Sequence, residues 1–269
     1  MPLLWLRVAL VFYALGLVYA FFALSRKPGA LGRLVIPAVS AGALFHFVAL
    51  IEAGRMSGEW APATLPSAES LLGFAIIAFF LAFWLKYRAL SPGVFVFPLV
   101  FLLALGAAFS GGAPEFSSPL LRTSWIFAHV TLIFFGYAAL FLSLVASLLY
   151  LVQERRLKRK SPQLWRMPAL EVIDQIGYRS LLIGFPFMTL GLIAGSIVAA
   201  HDFGAEFFRD PKIVLSFLLW IVYMVLLYTR WNNGWRGRRA AYLATFALLA
   251  AVGTWAANYF SGTHRFLGP

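Results

Sequence analysis

Long apolar runs separated by short polar and charged segments make up almost the whole chain. Each run holds about 18 or more residues and is apolar on every helical face, which suits a helix that crosses a bilayer. Strands of a membrane barrel would instead alternate over about 10 residues. The pattern predicts an all-α, polytopic integral membrane protein in which residues 1–269 form a single transmembrane domain. Its eight predicted spans cover approximately 3–24, 34–53, 67–85, 93–110, 123–152, 177–200, 212–229 and 240–260.

Composition and charge agree with this interpretation and add an orientation. Hydrophobic residues make up 62% of the chain and charged residues only 12%, whereas a soluble domain carries roughly 25% charged residues. Of the 22 Lys and Arg residues, 16 fall in the loops on one side, which we call the basic side. Such loops stay in the cytoplasm. We therefore expect both termini outside, in a multi-pass protein of a bacterial-type inner (cytoplasmic) membrane.

Net charge and cysteine content narrow the set of partners. A net charge of +12 would suggest nucleic acid in a soluble protein. Here the basic loops account for the charge, so the expected partner is the lipid bilayer and no nucleic acid. The chain has no cysteine, which excludes disulfides, thiolate metal sites and covalent haem attachment.

The longest loop on the basic side, 153–177, carries an amphipathic stripe in its second half. Leu170, Ile173 and Ile176 share one helical face within 168–179. The stripe is typical of an interfacial helix that lies on the membrane. The alternative is a simple solvated connector.

The four histidines are the only uncharged side chains in the chain that are good metal ligands. The predicted spans place His129, His201 and His264 at the outer membrane surface and His46 inside the second span. Imidazole is the usual axial ligand of haem iron, so two outer histidines on separate helices could hold one haem. A wet polar residue is the alternative for each outer histidine. A hydrogen bond to a neighbouring helix is the alternative for His46.

Charged and aromatic residues near the outer histidines could contact the propionates and the ring of a haem. Cationic side chains pair with carboxylates such as haem propionates, and aromatic rings pack against a macrocycle. The cations are Arg122, Arg209, Lys212 and Arg265, and the aromatic residues are Phe203, Phe207, Phe208 and Phe266.

Four segments stand in a characteristic order between residues 167 and 264. They are Met167-Pro-Ala-Leu-Glu-Val-Ile-Asp-Gln-Ile-Gly-Tyr-Arg179 with Gly184-Phe-Pro-Phe-Met-Thr-Leu-Gly-Leu-Ile-Ala-Gly195, Asp210-Pro-Lys212, Gly234-Trp-Arg-Gly-Arg-Arg-Ala-Ala-Tyr242 and Asn258-Tyr-Phe-Ser-Gly-Thr-His264. Earlier segments that fit the same order are His129-Val130 with Gly136-Tyr137, and His46 through Arg55 to Glu69-Ser70-Leu71. Over most of its length the chain resembles the CcsA/HemX family of cytochrome c assembly membrane proteins.

The resemblance implies a site for non-covalently bound, b-type haem. In that family two outer histidines hold haem beside a tryptophan-rich loop. The resemblance therefore implies that His129 and His264 are the axial ligands of the haem iron, with His46 as a third candidate. Further candidate contacts are His201, Arg122 and Arg265.

The tryptophan-rich loop has the family pattern W-G-x-x-W-x-W-D-P-K, and this chain keeps its frame. Phe203, Phe207 and Arg209 stand at the three tryptophan positions, and Asp210 is retained. Tyr228 stands where full cytochrome c synthases carry a further transmembrane histidine. The altered loop and the short, eight-span length resemble the HemX/YpjD branch of the family.

The implied function is that of a haem-handling membrane protein in cytochrome c biogenesis. Such a protein is not an enzyme alone, but at most part of a cytochrome c haem-lyase system with a membrane or cytoplasmic protein partner. The alternative is a HemX-like membrane regulator of haem biosynthesis that acts through a partner, without stable haem, by way of the basic loop 155–166. A b-type electron carrier, or a solute transporter with helices broken at Pro98 and Pro186, are further alternatives.

Overall fold

The computed structural model describes residues 2–25, 31–62, 64–110, 124–160, 167–203, 210–232, 234–235 and 238–257. The regular elements in these ranges are all helices, so the all-α prediction is confirmed. In chain order they are α1 (Pro2–Ser25), α2 (Leu31–Ser57), α3 (Leu65–Tyr87), α4 (Gly93–Phe109), α5 (Ser124–Lys158), α6 (Leu170–Phe203), α7 (Pro211–Asn232) and α8 (Arg238–Ala256).

Six of these helices, α1, α2, α3, α5, α6 and α7, are long and apolar enough to cross a membrane. The fold is therefore that of a multi-pass membrane protein. The apolar helix α4 has 17 residues, and the described part of α8 has 19. Eight separate spans, with both termini outside, stay a prediction.

The described helices pack as two groups of four. In the first group α1 packs on α2 and α4, while α3 packs on α2 and α4. In the second group α5 packs on α6 and α8, while α7 packs on α6 and α8. Helix α3 joins the groups because it also packs on α5. One apolar core runs through the first group onto α5, and another fills the second group.

A strip of glycines lets α5 and α6 approach closely along the most extensive helix contact of the fold. Gly177, Gly184 and Gly191 recur every seven residues in α6, and Gly195 follows one turn later. Residues at this spacing share one helix face. A Cβ at Gly191 would lie only 3.1 Å from the backbone nitrogen of Ile133. The strip is the kind of small-residue surface that packs helices in membranes.

The amphipathic segment 168–179 is the beginning of α6, because this helix starts at Leu170. The predictions of a separate interfacial helix and of a solvated connector are therefore both wrong. Ile173 and Ile176 are only 1% and 2% exposed, since they pack in the core that α5 shares.

Helix α5 is longer than a bilayer is thick. Its 35 residues span about 52 Å at 1.5 Å per residue, whereas the hydrocarbon layer is roughly 30 Å thick.

The two prolines at which helix breaks were expected lie inside helices without interrupting them. Pro98 belongs to α4 and Pro186 belongs to α6, and each helix continues past its proline. The helix breaks that a transporter was expected to have at these positions are therefore absent from α4 and α6.

A buried ion pair joins α6 to α7 at the basic side. The Arg230 Nη2 group donates to Asp174 Oδ1 at 2.6 Å and to the Asp174 carbonyl oxygen at 3.1 Å. The two side chains are only 5% and 14% exposed. The Arg230 guanidinium also lies 5.7 Å from the centre of the Tyr178 ring. The pair therefore connects the two helices where a lone charge would be costly.

The Arg230→Met variant should lower the free energy of unfolding by about 3–5 kcal/mol, because the largely buried Asp174 carboxylate would lose the guanidinium that offsets its charge. The double variant with Asp174→Leu should recover most of that loss. Thermal or denaturant unfolding of the purified protein in detergent measures both effects.

A matched control is the ion pair between Lys158 and Glu154, in which the lysine side chain is 68% exposed. Lys158→Met should lower the free energy of unfolding far less than Arg230→Met, because water screens exposed pairs. Equal losses at Lys158 and Arg230 would contradict a stabilising role for burial of the α6–α7 pair.

Candidate functional site

His129 lies near the start of α5, and its imidazole faces α6. The ring Nδ1–H donates a hydrogen bond of 2.7 Å to the carbonyl oxygen of Gly191. Because a carbonyl oxygen only accepts, this bond keeps the proton on Nδ1 and a lone pair on Nε2. Among the described residues nothing hydrogen-bonds Nε2. Histidines that ligate metals show the same arrangement, and the role of His129 as a haem ligand stays a prediction.

Gly195 supplies the space that this imidazole occupies. A Cβ at Gly195 would lie 2.5 Å from both Nδ1 and Cε1 of His129, closer than non-bonded atoms pack. Gly191 and Gly195 are four residues apart, so the hydrogen-bond acceptor and the open space lie one turn apart on the same face. The end of the glycine strip therefore fixes both the position and the tautomer of His129.

The segment Asp210-Pro211-Lys212 starts α7 near His129. The Asp210 carboxylate is 8% exposed, and its Oδ1 accepts a 2.9 Å hydrogen bond from the backbone N–H of Lys212. An aspartate cap followed by proline at the first helical position is a favourable helix start. The predicted haem contact of Asp210 stays a prediction.

Several predicted site residues lie outside the described residues. They are His264, Phe207, Arg209, Arg122 and Arg265. His201 and Phe203 belong to the last turn of α6, which ends on the side where α5 begins, and their side chains are also outside the description. The pairing of His129 with His264 over one haem therefore stays a prediction.

His46 is fully buried in α2, and both of its ring nitrogens meet side chains of other helices. Nε2 lies 2.8 Å from Ser70 Oγ in α3, and Nδ1 lies 3.2 Å from the Tyr13 hydroxyl in α1. The Phe74 ring makes an edge-on contact at 5.7 Å. Each ring nitrogen of His46 is therefore occupied by a neighbouring side chain, which leaves neither nitrogen open to an iron atom. Of the two alternatives for His46, the hydrogen-bonded one matches this geometry, and His46 links three helices of the first group.

Tyr228 lies at the other end of α7 from Lys212. The two residues are sixteen positions apart in sequence, which corresponds to about 24 Å along a helix. The Tyr228 side chain is 56% exposed, and its hydroxyl accepts a 3.0 Å hydrogen bond from Asn232 Nδ2. A ligand bound at His129 is therefore out of reach of Tyr228.

The sequence-based prediction missed four residues that hold the two described histidines. The seven-residue glycine period could have indicated Gly191 and Gly195 as close-packing positions. No sequence signal pairs Tyr13 or Ser70 with His46, because their contacts depend on how α1, α2 and α3 pack together.

Comparison with known proteins shows which family this chain matches. The family described as Cytochrome C assembly protein matches residues 4–261. Relatives named cytochrome c biogenesis protein CcsA are found in several organisms. The one from Heterosigma akashiwo is 29% identical over 217 residues, which cover 66% of this chain and 67% of the relative.

Two further relatives carry the same name. The Prochlorococcus marinus (strain MIT 9312) protein is 34% identical over 155 residues, which cover 50% of each chain. The Chlamydomonas reinhardtii protein is 31% identical over 131 residues, which cover 49% of this chain and 36% of the relative. The match therefore spans half or less of the length of these two relatives.

The Gly195→Ala variant should lower the free energy of unfolding by about 1–3 kcal/mol, because the new methyl group would overlap the His129 ring. In the Gly195→Ala, His129→Ala double variant the overlap is gone, so the total loss should be smaller than the sum of the single losses. Unfolding of the four proteins in detergent gives this coupling directly.

Gly253→Ala is the matched control, since a Cβ at Gly253 would meet nothing within 4 Å. Replacing a helical glycine in open space should be neutral or stabilise by up to about 1 kcal/mol. Additive losses at Gly195 and His129 would mean that these two residues are not in contact.

Proposed function

Because the chain belongs to the cytochrome c assembly protein family, we propose that it handles haem at the membrane during cytochrome c biogenesis. The observation that carries the proposal is the His129 imidazole, whose Nδ1 is held by the Gly191 carbonyl while Nε2 stays available. This is the arrangement that a neutral histidine needs in order to bind iron. The names of the CcsA relatives support the same function.

In this proposal haem is a non-covalent, b-type ligand and the cargo of the protein. His129 supplies one axial ligand from α5, and His264 supplies the other from the segment after α8. The chain has no cysteine, so the two imidazoles and surrounding side chains hold the haem without a thioether bond. The side chains proposed to surround it are Phe203, Phe207, Arg209 and Asp210, with His201, Arg122 and Arg265 as further contacts.

We place this site on the non-cytoplasmic side of a bacterial-type inner membrane that all eight helices cross. Two observations support the orientation. His129 lies near the start of α5, whereas the last turn of α5 carries Arg155, Arg156 and Lys158. Basic helix ends stay on the cytoplasmic side, so the histidine end of α5 faces outward, as do both termini.

Within the family we propose the HemX/YpjD branch. Phe203, Phe207 and Arg209 replace the tryptophans of the family loop, and the Tyr228 hydroxyl accepts a hydrogen bond from Asn232 where synthases carry a histidine. Such a chain is not an enzyme alone. It acts with a membrane or cytoplasmic protein partner that receives or supplies the haem.

A second candidate function, a HemX-like regulator of haem biosynthesis without stable haem, has one observation in its favour. The end of α5 presents an exposed cluster of basic side chains at the cytoplasmic side: Arg155, Lys158, Arg159 and Lys160. An acidic surface of a cytoplasmic partner would fit such a cluster.

The purified full-length chain should show a Soret band, and His129→Ala and His264→Ala should each lower haem affinity at least about tenfold, or about 1.4 kcal/mol. Each variant lacks one axial ligand. Free imidazole added to either variant should restore the band, because it supplies that ligand from solution. Absorption spectra of the oxidised and reduced protein give the measurement.

His46→Ala is the matched histidine control. It should keep the Soret band but lower the melting temperature, because it removes the bonds to Tyr13 and Ser70. A colourless but folded wild-type protein would favour the regulator. A haem band lost only in His46→Ala would place the chromophore in the first helix group and overturn the assignment to His129.

A further inference from the structure

We propose that a small polar pocket at the basic side of the protein binds the phosphate group of an anionic phospholipid. The pocket lies among α5, α6, α7 and α8, and its polar lining includes Ser147 and Tyr150 of α5, Asp174 of α6 and Arg230 of α7. Ser147 is eighteen positions after His129 in α5, which corresponds to about 27 Å along the helix. The pocket is therefore separate from the proposed haem site.

The ion pair of Arg230 with Asp174 leaves part of the guanidinium available to a second acceptor. Both hydrogen bonds to Asp174 come from Nη2. Nη1 lies on the Gly177 side, 3.8 Å from the position that a Cβ of Gly177 would take, and it hydrogen-bonds no residue that the structure describes. Because a guanidinium presents several N–H donors in a fork, a phosphate oxygen can bind Nη1 while Asp174 keeps Nη2.

Two hydroxyl groups of α5 line the same pocket. Ser147 and Tyr150 are three positions apart, so they share one helix face. The Ser147 side chain is only 6% exposed, yet within the described part of the chain its hydroxyl forms no hydrogen bond. A buried hydroxyl without a partner is unfavourable. An acceptor oxygen that enters the pocket would therefore satisfy this hydroxyl together with Arg230 Nη1.

The charge around the pocket favours an anion. Asp174 offsets the charge of Arg230, but Arg238 and Arg239 are exposed at the start of α8, next to Ala240 of the pocket lining. Basic pockets between helices at the cytoplasmic side of membrane proteins bind anionic headgroups.

The position of the pocket favours a lipid as the source of the phosphate. Trp231 and Tyr242 are 78% and 72% exposed, and each lies within two positions in sequence of a residue that lines the pocket. Exposed Trp and Tyr side chains are typical of the boundary between hydrocarbon and headgroups. The pocket therefore lies at the level of the lipid phosphates.

The test compares the binding of phosphatidylglycerol and phosphatidylcholine to the purified full-length protein in detergent, by native mass spectrometry. Wild type should bind phosphatidylglycerol about tenfold more tightly, the size of one charge-assisted contact, because the choline group offsets the phosphate charge of the other lipid. Ser147→Ala should weaken phosphatidylglycerol binding about threefold, the size of one ordinary hydrogen bond. Arg230→Lys should weaken it about tenfold, because an ammonium paired with Asp174 has no second arm for the phosphate.

Lys86→Met is the matched control, since Lys86 is exposed in the last turn of α3 on the basic side. It should bind phosphatidylglycerol like wild type, which separates a defined pocket from the general attraction of basic loops. Melting temperatures measured without added lipid show that the Ser147→Ala and Arg230→Lys proteins are folded.

Three results would overturn the proposal. The first is equal affinity of wild type for the two lipids. The second is binding of phosphatidylglycerol to folded Ser147→Ala and Arg230→Lys proteins that is as tight as in wild type, or weakened no more than in Lys86→Met. The third is displacement of phosphatidylglycerol from wild type by an excess of inorganic phosphate, which would assign the pocket to a soluble anion. Haem binding at His129 is unaffected by each of these results.

Discussion

The close approach of α5 and α6 is the constraint on which the rest of the candidate site depends. Only because α6 has no side chain at Gly191 and Gly195 can the His129 ring reach a backbone carbonyl of the neighbouring helix. Helix carbonyls are normally occupied within their own helix and shielded by side chains. Small residues at a membrane helix interface remove that shield. The imidazole consequently gains a defined tautomer from main-chain atoms, without a second ionisable side chain in the membrane.

The two described histidines show that the same residue type serves opposite purposes in the two helix groups. His46 has both nitrogens engaged, by Ser70 and Tyr13, and so acts as a connection among α1, α2 and α3. His129 has one nitrogen engaged and one available. The difference lies in the surroundings rather than in the depth of burial alone. A polar side chain in a membrane is satisfied by whichever partner the packing offers.

The helical character of the described elements could be predicted from the sequence, because runs of apolar residues of this length leave few other structures in lipid. The position of His129 near one end of its helix followed from the same pattern. The packing of residues 168–179 against α5 could not be predicted, since an apolar stripe of this kind has the same sequence pattern whether it contacts lipid or another helix. The partners of His46 and the ion pair of Arg230 with Asp174 also escaped prediction. They join residues distant in sequence, and only the packed helices bring them together.

The glycine strip also means that the faces of α6 differ strongly in the substitutions that they tolerate. At Gly184, Gly191 and Gly195 even one added carbon meets α5 or α7 atoms. At Leu182 and Ile183, which are 48% and 45% exposed, any apolar side chain of similar size fits against lipid. Sequence drift can therefore proceed along one side of the helix while the other stays fixed by geometry. A chain of this kind can change many of its lipid-facing residues and still hold the same two helices together.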